Sequence, residues 1–260
     1  MSATPGSRPV ALVTGSSRGL GKATALTFAA QGYDVVVHYR REAEAAEAVG
    51  KEVEAAGTSA LVVAADLQDP EAPGRLLADV EARFGRLDVL VANAASSAFR
   101  PLLEIGSRHL DLTFRTVVQS FVLLVQGAVP LMAGRPGTVV AVSGIDTVWV
   151  IDDHGLLGAA KAALEQLVRY LAVELAPHDI AVSGIMPGYV STDSYRYYGE
   201  NVHREGLEAL ERAAVERTPA GRIGTPEEHA AIIHFLTTPA GRWIRGQTLI
   251  TDGGITLRRP

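Results

Sequence analysis

The chain has 260 residues, 47% of them hydrophobic, and a formal net charge of −5 at pH 7. Acidic and basic residues are mixed along it, which argues against a nucleic-acid-binding surface. With no cysteine, disulfides and thiolate metal sites are excluded, and a cytoplasmic location is expected. Apolar runs fall short of the roughly 20 residues that span a bilayer, and residues 1–9 lack a signal-peptide pattern. We therefore expect no nucleic acid, membrane or metal partner.

Strand-like and helical patterns alternate along the whole sequence. The predicted strands are Val10–Val13, Val35–His38, Ala60–Ala64, Val89–Ala92, Thr138–Val142, Ala181–Ile185 and Thr248–Ile250. The predicted helices are Leu20–Gln31, Glu42–Ala56, Glu71–Phe84, Leu110–Met132, Gly155–Ala176, Gly206–Glu216 and Pro226–Leu236. Valine-rich strands without polar alternation are typical of parallel strands that helices cover on both faces. This alternation predicts an α/β chain, one doubly wound Rossmann domain over residues 1–260 with a seven-stranded parallel sheet.

Two stretches stand apart from this alternation. We expect residues 1–8 to be flexible. Residues 189–205 form the longest stretch without a predicted element, and they contain Tyr195, Tyr197 and Tyr198 near Gly199. Long irregular loops in compact domains are often active-site lids. The sequence therefore predicts a substrate lid here, with its tyrosines as pocket walls or, alternatively, proton donors.

A glycine-rich turn joins the first predicted strand to the first predicted helix. The segment Thr14-Gly-Ser-Ser-Arg-Gly-Leu-Gly21 ends one and opens the other, which is the context in which such a turn cradles phosphates. Glycines permit close approach of a pyrophosphate, and a helix N-terminus offers unpaired N–H groups to it. The residues predicted to hold a dinucleotide here are Gly15, Ser17, Arg18, Gly19, Leu20 and Gly21. The alternative is a tight turn without a ligand.

The end of the second strand indicates which dinucleotide binds. An acid at this point favours NAD, whereas a cation accommodates the 2′-phosphate of NADP. Tyr39 and Arg40 stand here without an acid, and Arg18 could reach the same phosphate. Guanidinium groups suit phosphate because their donors form a planar fork. The sequence therefore predicts NADP(H), although Arg40 and Arg41 could instead be ordinary surface charges.

Polar residues follow the next two strands. Asp66, with Leu67 beside it, follows the third strand, and Asn93 closes the fourth. Asp66 could bind the adenine amino group or cap a helix. Asn93 could contact the ligand or satisfy backbone groups. Since ligands of such sheets bind outside the carboxyl ends of the strands, all of these positions should face one crevice.

Motifs spread over the chain resemble the short-chain dehydrogenase/reductase family. They are Thr14–Gly21, Asn93–Ala95, Lys161 within Ala-Ala-Lys-Ala-Ala-Leu, Pro187-Gly188 and Asp252–Gly254. A closer likeness is to the enoyl-acyl-carrier-protein reductase III branch, through Asn93–Ser96 with Arg100-Pro101, Arg169–Leu175, Thr218–Arg222 and Arg245–Gly254.

The resemblance implies several roles. Lys161 would bind the nicotinamide ribose, and the segment with Pro187, Gly188, Val190 and Thr192 would hold the carboxamide. It also implies a small-molecule or acyl-carrier-bound substrate and a homodimer or homotetramer formed through the two long helices Leu110–Met132 and Gly155–Ala176.

The usual catalytic residues of the family are missing. The tyrosine expected four residues before Lys161 falls on Leu157, the serine on Gly144, and the helix asparagine on Val117. None of these three side chains can donate a proton to a carbonyl. Ordinary carbonyl reduction is therefore not expected.

His154 offers a replacement. The enoyl reductase branch places its tyrosine seven residues before the lysine, and here that position is His154, flanked by Asp152 and Asp153. We interpret His154 as the group that polarises an acyl carbonyl during reduction of the conjugated double bond, with the adjacent carboxylates favouring the imidazolium. It could instead be a solvated loop residue. A hydrolytic set of Ser143, His154 and Asp152 or Asp153 also stays open, without a nucleophile elbow to support it.

The sequence thus predicts an NADPH-dependent reductase of an activated double bond, with His154 and Lys161 as catalytic groups. The alternative is an isomerase, dehydratase or cyclase on the same fold without net redox, and a non-enzymatic binding protein is the third reading.

Overall fold

The computed structural model describes residues 8–258. We expected residues 1–8 to be flexible, and residues 1–7 of this segment lie outside the described part of the chain. The strands are β1 Val10–Val13, β2 Asp34–Tyr39, β3 Ala60–Ala64, β4 Val89–Ala92, β5 Gly137–Val142, β6 Ile180–Pro187 and β7 Thr248–Thr251. The helices are α1 Gly19–Ala30, α2 Ala43–Ala55, α3 Ala72–Phe84, α4 Ser107–Phe114, α5 Ser120–Met132, α6 Gly155–Glu174, α7 Asp193–Asn201, α8 Gly206–Arg217 and α9 Pro226–Thr237.

The seven strands form one parallel sheet in the order β3-β2-β1-β4-β5-β6-β7. This confirms the predicted doubly wound fold. The order reverses between β1 and β4, and in such sheets the crevice at the reversal is where ligands bind.

Side chains of successive strand residues enter two different cores, because they point to opposite faces of a sheet. In β1, Leu12 lies in the core formed with α3, α5 and α6, whereas Val13 lies in the core formed with α1, α2 and α9. Both side chains are fully buried. Burial on both faces explains why the strands carry so few polar residues. The sheet is thereby fixed as a rigid platform for the loops at its carboxyl edge.

The long helix predicted at Leu110–Met132 begins earlier and is not uniform. It starts at Ser107 as α4, passes through a π-helical segment at Arg115–Gln119, and continues as α5. Ser107–Met132 is long and apolar enough to cross a membrane by length and composition. Phe121 and Leu124, however, are buried in the core of the domain, which accounts for the apolar composition.

The prediction that residues 189–204 lack regular structure was wrong, because α7 lies within them. Thr192 caps this helix by accepting a hydrogen bond from the backbone N–H of Tyr195 (3.2 Å), and Asp193 occupies the first turn. A threonine followed by an acid is a common helix start. Position 199 requires glycine, because a Cβ there would lie only 2.9 Å from Cα of Leu207.

Candidate active site

A cleft of about 660 Å³ runs along the carboxyl edge of the sheet. It contains nearly all the predicted site residues: Gly15, Ser17, Arg18, Gly19, Leu20, Gly21, Tyr39, Arg40, Asp66, Leu67, Asn93, His154, Gly188, Val190 and Thr192. The sequence-predicted residues Lys161 and Pro187 are absent from its walls. Pro187 is buried at the end of β6. The fold therefore brings loops from both halves of the sheet to one place.

The glycine-rich turn needs glycine for two separate reasons. Gly15 and Gly19 have φ values of +66° and +56°, which other residues rarely adopt. Gly21 has no room for a side chain, since a Cβ there would lie 2.2 Å from the carbonyl oxygen of Gly15. The turn thus folds back on the first turn of α1.

Asn93 fastens this turn to β4. Its side-chain Nδ2 donates to the carbonyl oxygens of Thr14 (2.9 Å) and Gly15 (3.1 Å). In return, the Thr14 hydroxyl accepts hydrogen bonds from the backbone N–H groups of Asn93 and Ala94. Of the two predicted roles for Asn93, the backbone role is therefore present, and its side chain also lies in the cleft wall.

His38 holds the same turn from the other side, and the sequence analysis had treated it as an ordinary strand residue. Its Nδ1 accepts from the backbone N–H of Gly15 (2.9 Å), and its Nε2 lies 3.0 Å from the carbonyl oxygen of Ala65. A carbonyl can only accept, so Nε2 carries the proton and the ring is neutral. Burial lowers the pKa of His38. A polar residue inside an apolar strand was the available signal.

The N-terminus of α1 is free to bind an anion. Arg18 at the N-cap provides no capping side chain, and the first helical hydrogen bond runs from Lys22 N–H to the Arg18 carbonyl. Among residues 8–258, nothing accepts from the N–H groups of Gly19, Leu20 and Gly21. Unpaired N–H groups at a helix start are a ready-made phosphate site. The geometry therefore fits a dinucleotide.

The arginines predicted to hold a 2′-phosphate are exposed at this end of the cleft. In the described part of the chain, Arg18, Arg40 and Arg41 form no ion pair. Asp66 accepts a hydrogen bond from the backbone N–H of Gln68 (3.1 Å). It does not cap α3, whose N-cap is Glu71.

His154 lies in an aromatic corner of the cleft. The centroid of its ring is 4.7 Å from that of Phe99 and 4.6 Å from that of Tyr198. Its Nδ1 lies 3.0 Å from the backbone carbonyl oxygen of Asp152. Because that oxygen only accepts, Nδ1 carries a proton, and Nε2 carries one only when the ring is an imidazolium.

The loop before His154 has a backbone conformation that fixes the ring. Asp153 has φ +63°, an uncommon left-handed conformation that aspartate tolerates better than most residues. Its carbonyl oxygen accepts from the backbone N–H of Arg100 (3.1 Å), next to Phe99. The His154 carbonyl then accepts the first helical bond of α6, from Gly158 N–H (2.8 Å). The aspartate pair therefore contacts the His154 imidazole through the backbone carbonyl oxygen of Asp152.

Ser143, in the cleft wall, and the buried Lys161 are both engaged in hydrogen bonds. The Ser143 hydroxyl and the Thr147 hydroxyl both donate to Oε1 of Glu165. The Lys161 ammonium donates to the carbonyl oxygen of Val142 (2.5 Å), and burial lowers the pKa of Lys161 to about 8. Because Ser143 is bonded to Glu165 and not to His154, the hydrolytic set of Ser143, His154 and an aspartate does not form.

Two tyrosines of α7, Tyr195 and Tyr198, line the same end of the cleft. Burial raises the pKa of Tyr198 to about 12, so its hydroxyl stays protonated. It lies 3.4 Å from the Asp152 carbonyl oxygen. The buried hydroxyl of Tyr195 has no hydrogen-bond partner among the described residues. Tyr197 is exposed. Leu157, at the position of the missing tyrosine, also lines the cleft.

Known proteins resemble this chain over nearly its whole length. The family model described as Enoyl-(Acyl carrier protein) reductase matches residues 15–256. The chain is 41% identical over 253 residues to 1-cyclohexenylcarbonyl-CoA reductase of Streptomyces collinus, covering 97% of this chain and 89% of that protein. It is 31% identical to versicolorin reductase 1 of Aspergillus parasiticus, covering 94% and 95%. A short-chain dehydrogenase from Burkholderia cenocepacia, solved in complex with NADP, superimposes with a TM-score of 0.87 at 32% identity, covering 97% and 99%.

A doubly wound parallel sheet with an open phosphate-binding turn at its switch point is typical of dinucleotide-binding enzymes. Together with the family match and the relatives, it places the chain among the nicotinamide-dependent oxidoreductases. The chain belongs to the short-chain dehydrogenase/reductase family, as its family match, its relatives and its structural neighbours all agree.

We predict that Gly21→Ala removes nucleotide binding, because the new Cβ would collide with the Gly15 carbonyl. Gly74→Ala in α3 is the matched control, since a Cβ there meets nothing within 4 Å and alanine favours helices. Fluorescence titration with NADPH should give a Kd at least tenfold weaker for the first variant, by about 1.4 kcal/mol or more, and unchanged for the second. Equal affinities in both variants would contradict the packing described.

We predict that the free energy of unfolding falls as the pH drops below about 6.5, the ordinary pKa of histidine. The pKa of buried His38 is lowered, so between the two pKa values the unfolded chain binds a proton that the folded chain does not. Stability is complete above the unfolded pKa and is lost towards the lower folded pKa. His229 and His234 contribute in the same direction, because burial lowers the pKa of each.

Urea unfolding between pH 5 and 8 measures this effect. His38→Gln should reduce the pH dependence and lower the stability at pH 8, where Gly15 loses its acceptor. His178→Gln, at an exposed position, serves as the control. A His38→Gln variant that keeps the full pH dependence of the parent would refute the assignment.

Proposed function

We propose that the protein is an NADPH-dependent reductase of a carbon–carbon double bond conjugated to an acyl carbonyl, with thioesters as the substrate class. The observation that carries the proposal is His154. Its Nδ1 is committed to the Asp152 carbonyl, its ring is held between Phe99 and Tyr198, and Leu157 beside it has no proton to give.

The cleft has two chemically distinct ends. Arg40 follows β2, and His154 follows β5; in the sheet, β1 and β4 lie between these strands. A dinucleotide with its phosphates on the α1 N-terminus would place its 2′-phosphate near Arg18 and Arg40, and its adenine near Asp66 and Leu67. Gly188, Val190 and Thr192 would hold the carboxamide. Such a cofactor supplies a hydride when bound.

We retain the proposed role of Lys161 beside the nicotinamide ribose, although its ammonium group has another partner in this structure. Its ammonium lies against the carbonyl of Val142, a residue of the cleft wall. It acts from there by its positive charge, and it reaches a ribose hydroxyl only by leaving this carbonyl.

His154 supplies what enoyl reduction demands of the protein. As a hydride adds to the β-carbon, negative charge moves to the acyl oxygen, and a hydrogen-bond donor at that oxygen lowers the barrier. The imidazolium donates from Nε2, because Nδ1 is already committed. A proton then adds to the α-carbon, so the double bond gains one hydride and one proton.

The relatives support this substrate class. The name of the Streptomyces collinus relative describes the reduction of an α,β-unsaturated cyclic acyl-CoA. The matching family model is also described as an enoyl reductase. Phe99, Tyr198 and Leu157 give the His154 end of the cleft an apolar wall suited to a hydrocarbon acyl group.

The remaining predictions about partners stay proposals. An acyl carrier protein or coenzyme A presents the substrate, and α7 in residues 189–205 acts as the lid. The cytoplasm is the proposed location. A homodimer or homotetramer through α4–α5 and α6 is consistent with the exposed apolar side chains of Leu110, Phe114, Tyr170 and Val173.

We predict a preference for NADPH over NADH that Arg40→Ala removes. A hydrogen bond to a charged group contributes about 1.5–3 kcal/mol, so the Kd for NADPH should rise about 10- to 100-fold, while the Kd for NADH stays the same. Arg212→Ala, at an exposed position on α8, is the control. Equal losses for both nucleotides would place Arg40 away from the 2′-phosphate.

We predict that the parent protein oxidises NADPH when given crotonyl-CoA or 1-cyclohexenylcarbonyl-CoA, followed by absorbance. His154→Ala and His154→Phe should lower kcat by about 10²- to 10⁴-fold, the usual contribution of general acid catalysis, with NADPH affinity unchanged. His178→Gln should leave kcat intact. Undiminished turnover in the His154 variants would remove this residue from the mechanism, and NADPH binding without oxidation would favour the non-redox alternative.

A further inference from the structure

His38 joins the two loops that we assign to the cofactor. They are the phosphate turn, residues 14–21 after β1, and the adenine loop, residues 65–67 after β3. In the sheet, β2 lies between β1 and β3, so a side chain near the end of β2 can reach both loops. Gly15, His38 and Ala65 all line the cleft.

The phosphate turn has left the sheet at the point where His38 contacts it. The pairing of β1 with β2 ends at Val13 and Val37, whereas β2 continues beside β3 as far as Tyr39. Beyond Val13, Ser16 and His38 connect the turn to β2. The Ser16 N–H donates to the His38 carbonyl oxygen (2.9 Å), and the His38 N–H donates to Oγ of Ser16 (3.0 Å).

The His38 ring adds one hydrogen bond to each loop. Its Nδ1 accepts from the N–H of Gly15 (2.9 Å), and its Nε2 donates to the carbonyl oxygen of Ala65 (3.0 Å). Only a neutral imidazole with its proton on Nε2 makes both bonds, because one nitrogen must accept while the other donates. The residue is 2% exposed. One buried side chain thus fixes the position of the phosphate turn relative to the adenine loop.

A dinucleotide has to contact both loops at once. The N–H groups of residues 19–21, which have no acceptor among residues 8–258, follow Gly15 in the phosphate turn. Asp66 and Leu67 follow Ala65 in the adenine loop and line the cleft. A shift of Gly15 or of Ala65 would therefore move the groups that face pyrophosphate or adenine. Loops that are ordered before the ligand arrives reduce the entropic cost of binding.

We propose that His38 is a positioning residue for the dinucleotide: its neutral ring holds the phosphate turn and the adenine loop at the spacing that one cofactor molecule spans. It acts through Gly15 and Ala65. The proposal rests on the dinucleotide site of the proposed function and is independent of the chemistry at His154.

Two substitutions separate the two hydrogen bonds. An asparagine amide lies about as far from the backbone as Nδ1 of histidine, and a glutamine amide about as far as Nε2. His38→Asn can therefore accept from Gly15 but cannot reach Ala65, whereas His38→Gln can donate to Ala65 but leaves Gly15 without its acceptor. His178→Gln, at an exposed position, is the control.

Two cofactor fragments report on the two loops separately. Adenosine 2′-monophosphate carries the adenine without a pyrophosphate, and 2′-phospho-ADP-ribose adds the pyrophosphate. Calorimetric titration gives a Kd for each fragment, and the Kd of the first divided by that of the second measures the contribution of the pyrophosphate.

The two variants should give opposite patterns. His38→Asn should raise the Kd of adenosine 2′-monophosphate about 3- to 10-fold, as expected for loss of one hydrogen bond, and leave the ratio of the two Kd values unchanged. His38→Gln should leave the Kd of adenosine 2′-monophosphate unchanged and lower the ratio by a similar factor. His178→Gln should change neither quantity. A merely structural role would weaken both fragments in both variants, and that result would contradict the proposal.

The protonation state of the ring tests the same bridge in the parent protein without any ligand. In ¹⁵N nuclear magnetic resonance spectra, with the His38 signals assigned from their loss in His38→Asn, the neutral ring should carry its proton on Nε2. A proton on Nδ1 would face the Gly15 N–H with a second donor, and this result would overturn the proposal.

The outcomes distinguish this inference from the proposed function. If the parent binds NADPH and both fragments but the variants do not show the opposite patterns, the inference alone fails. If the parent binds neither fragment nor NADPH, the dinucleotide site fails and the proposed function falls with it. If one variant does not fold, which circular dichroism reports, the other variant and the ring proton carry the test.

Discussion

The close approach of Gly21 to the Gly15 carbonyl is the constraint on which the site depends, because it folds the turn after β1 onto the start of α1. Two side chains from neighbouring parts of the sheet hold that turn: Asn93, directly after β4, donates from its side-chain amide, and His38 of β2 accepts through Nδ1. Thr14, directly after β1, completes the link by accepting from the backbone of Asn93 and Ala94. The turn is therefore held in place only when β1, β2 and β4 are paired. The N–H groups of Gly19, Leu20 and Gly21, in the first turn of α1, then have no acceptor among residues 8–258 and are available to phosphate.

At the His154 end of the cleft, backbone conformation and hydrogen bonds fix the site. The left-handed Asp153 and its hydrogen bond from Arg100 set the loop, and the Asp152 carbonyl takes one nitrogen of His154. Nε2 is then the one ring nitrogen of His154 that is not committed, and it carries a proton only when the ring is an imidazolium. A family that uses a phenol needs no such arrangement, because a phenol is a donor at every physiological pH.

The sequence was sufficient to predict the parallel sheet, because the valine-rich strands and the glycine motif around Gly15 are local signals that both indicate a doubly wound fold. It also located His154 and the exposed Arg40, because both follow strand ends or motif positions. It missed His38, whose role arises from a hydrogen bond to a residue 23 positions away. Such a hydrogen bond depends on the tertiary structure, and residue spacing in the sequence does not predict it.

Isotope transfer tests the central claim most directly. The protein would be given NADPH deuterated at the transferred position together with 1-cyclohexenylcarbonyl-CoA, and the product analysed by mass spectrometry and nuclear magnetic resonance. The account predicts one deuterium from the cofactor at the β-carbon and a hydrogen from solvent at the α-carbon, with the thioester intact. A product without cofactor deuterium, or with deuterium on the former carbonyl carbon, would contradict it.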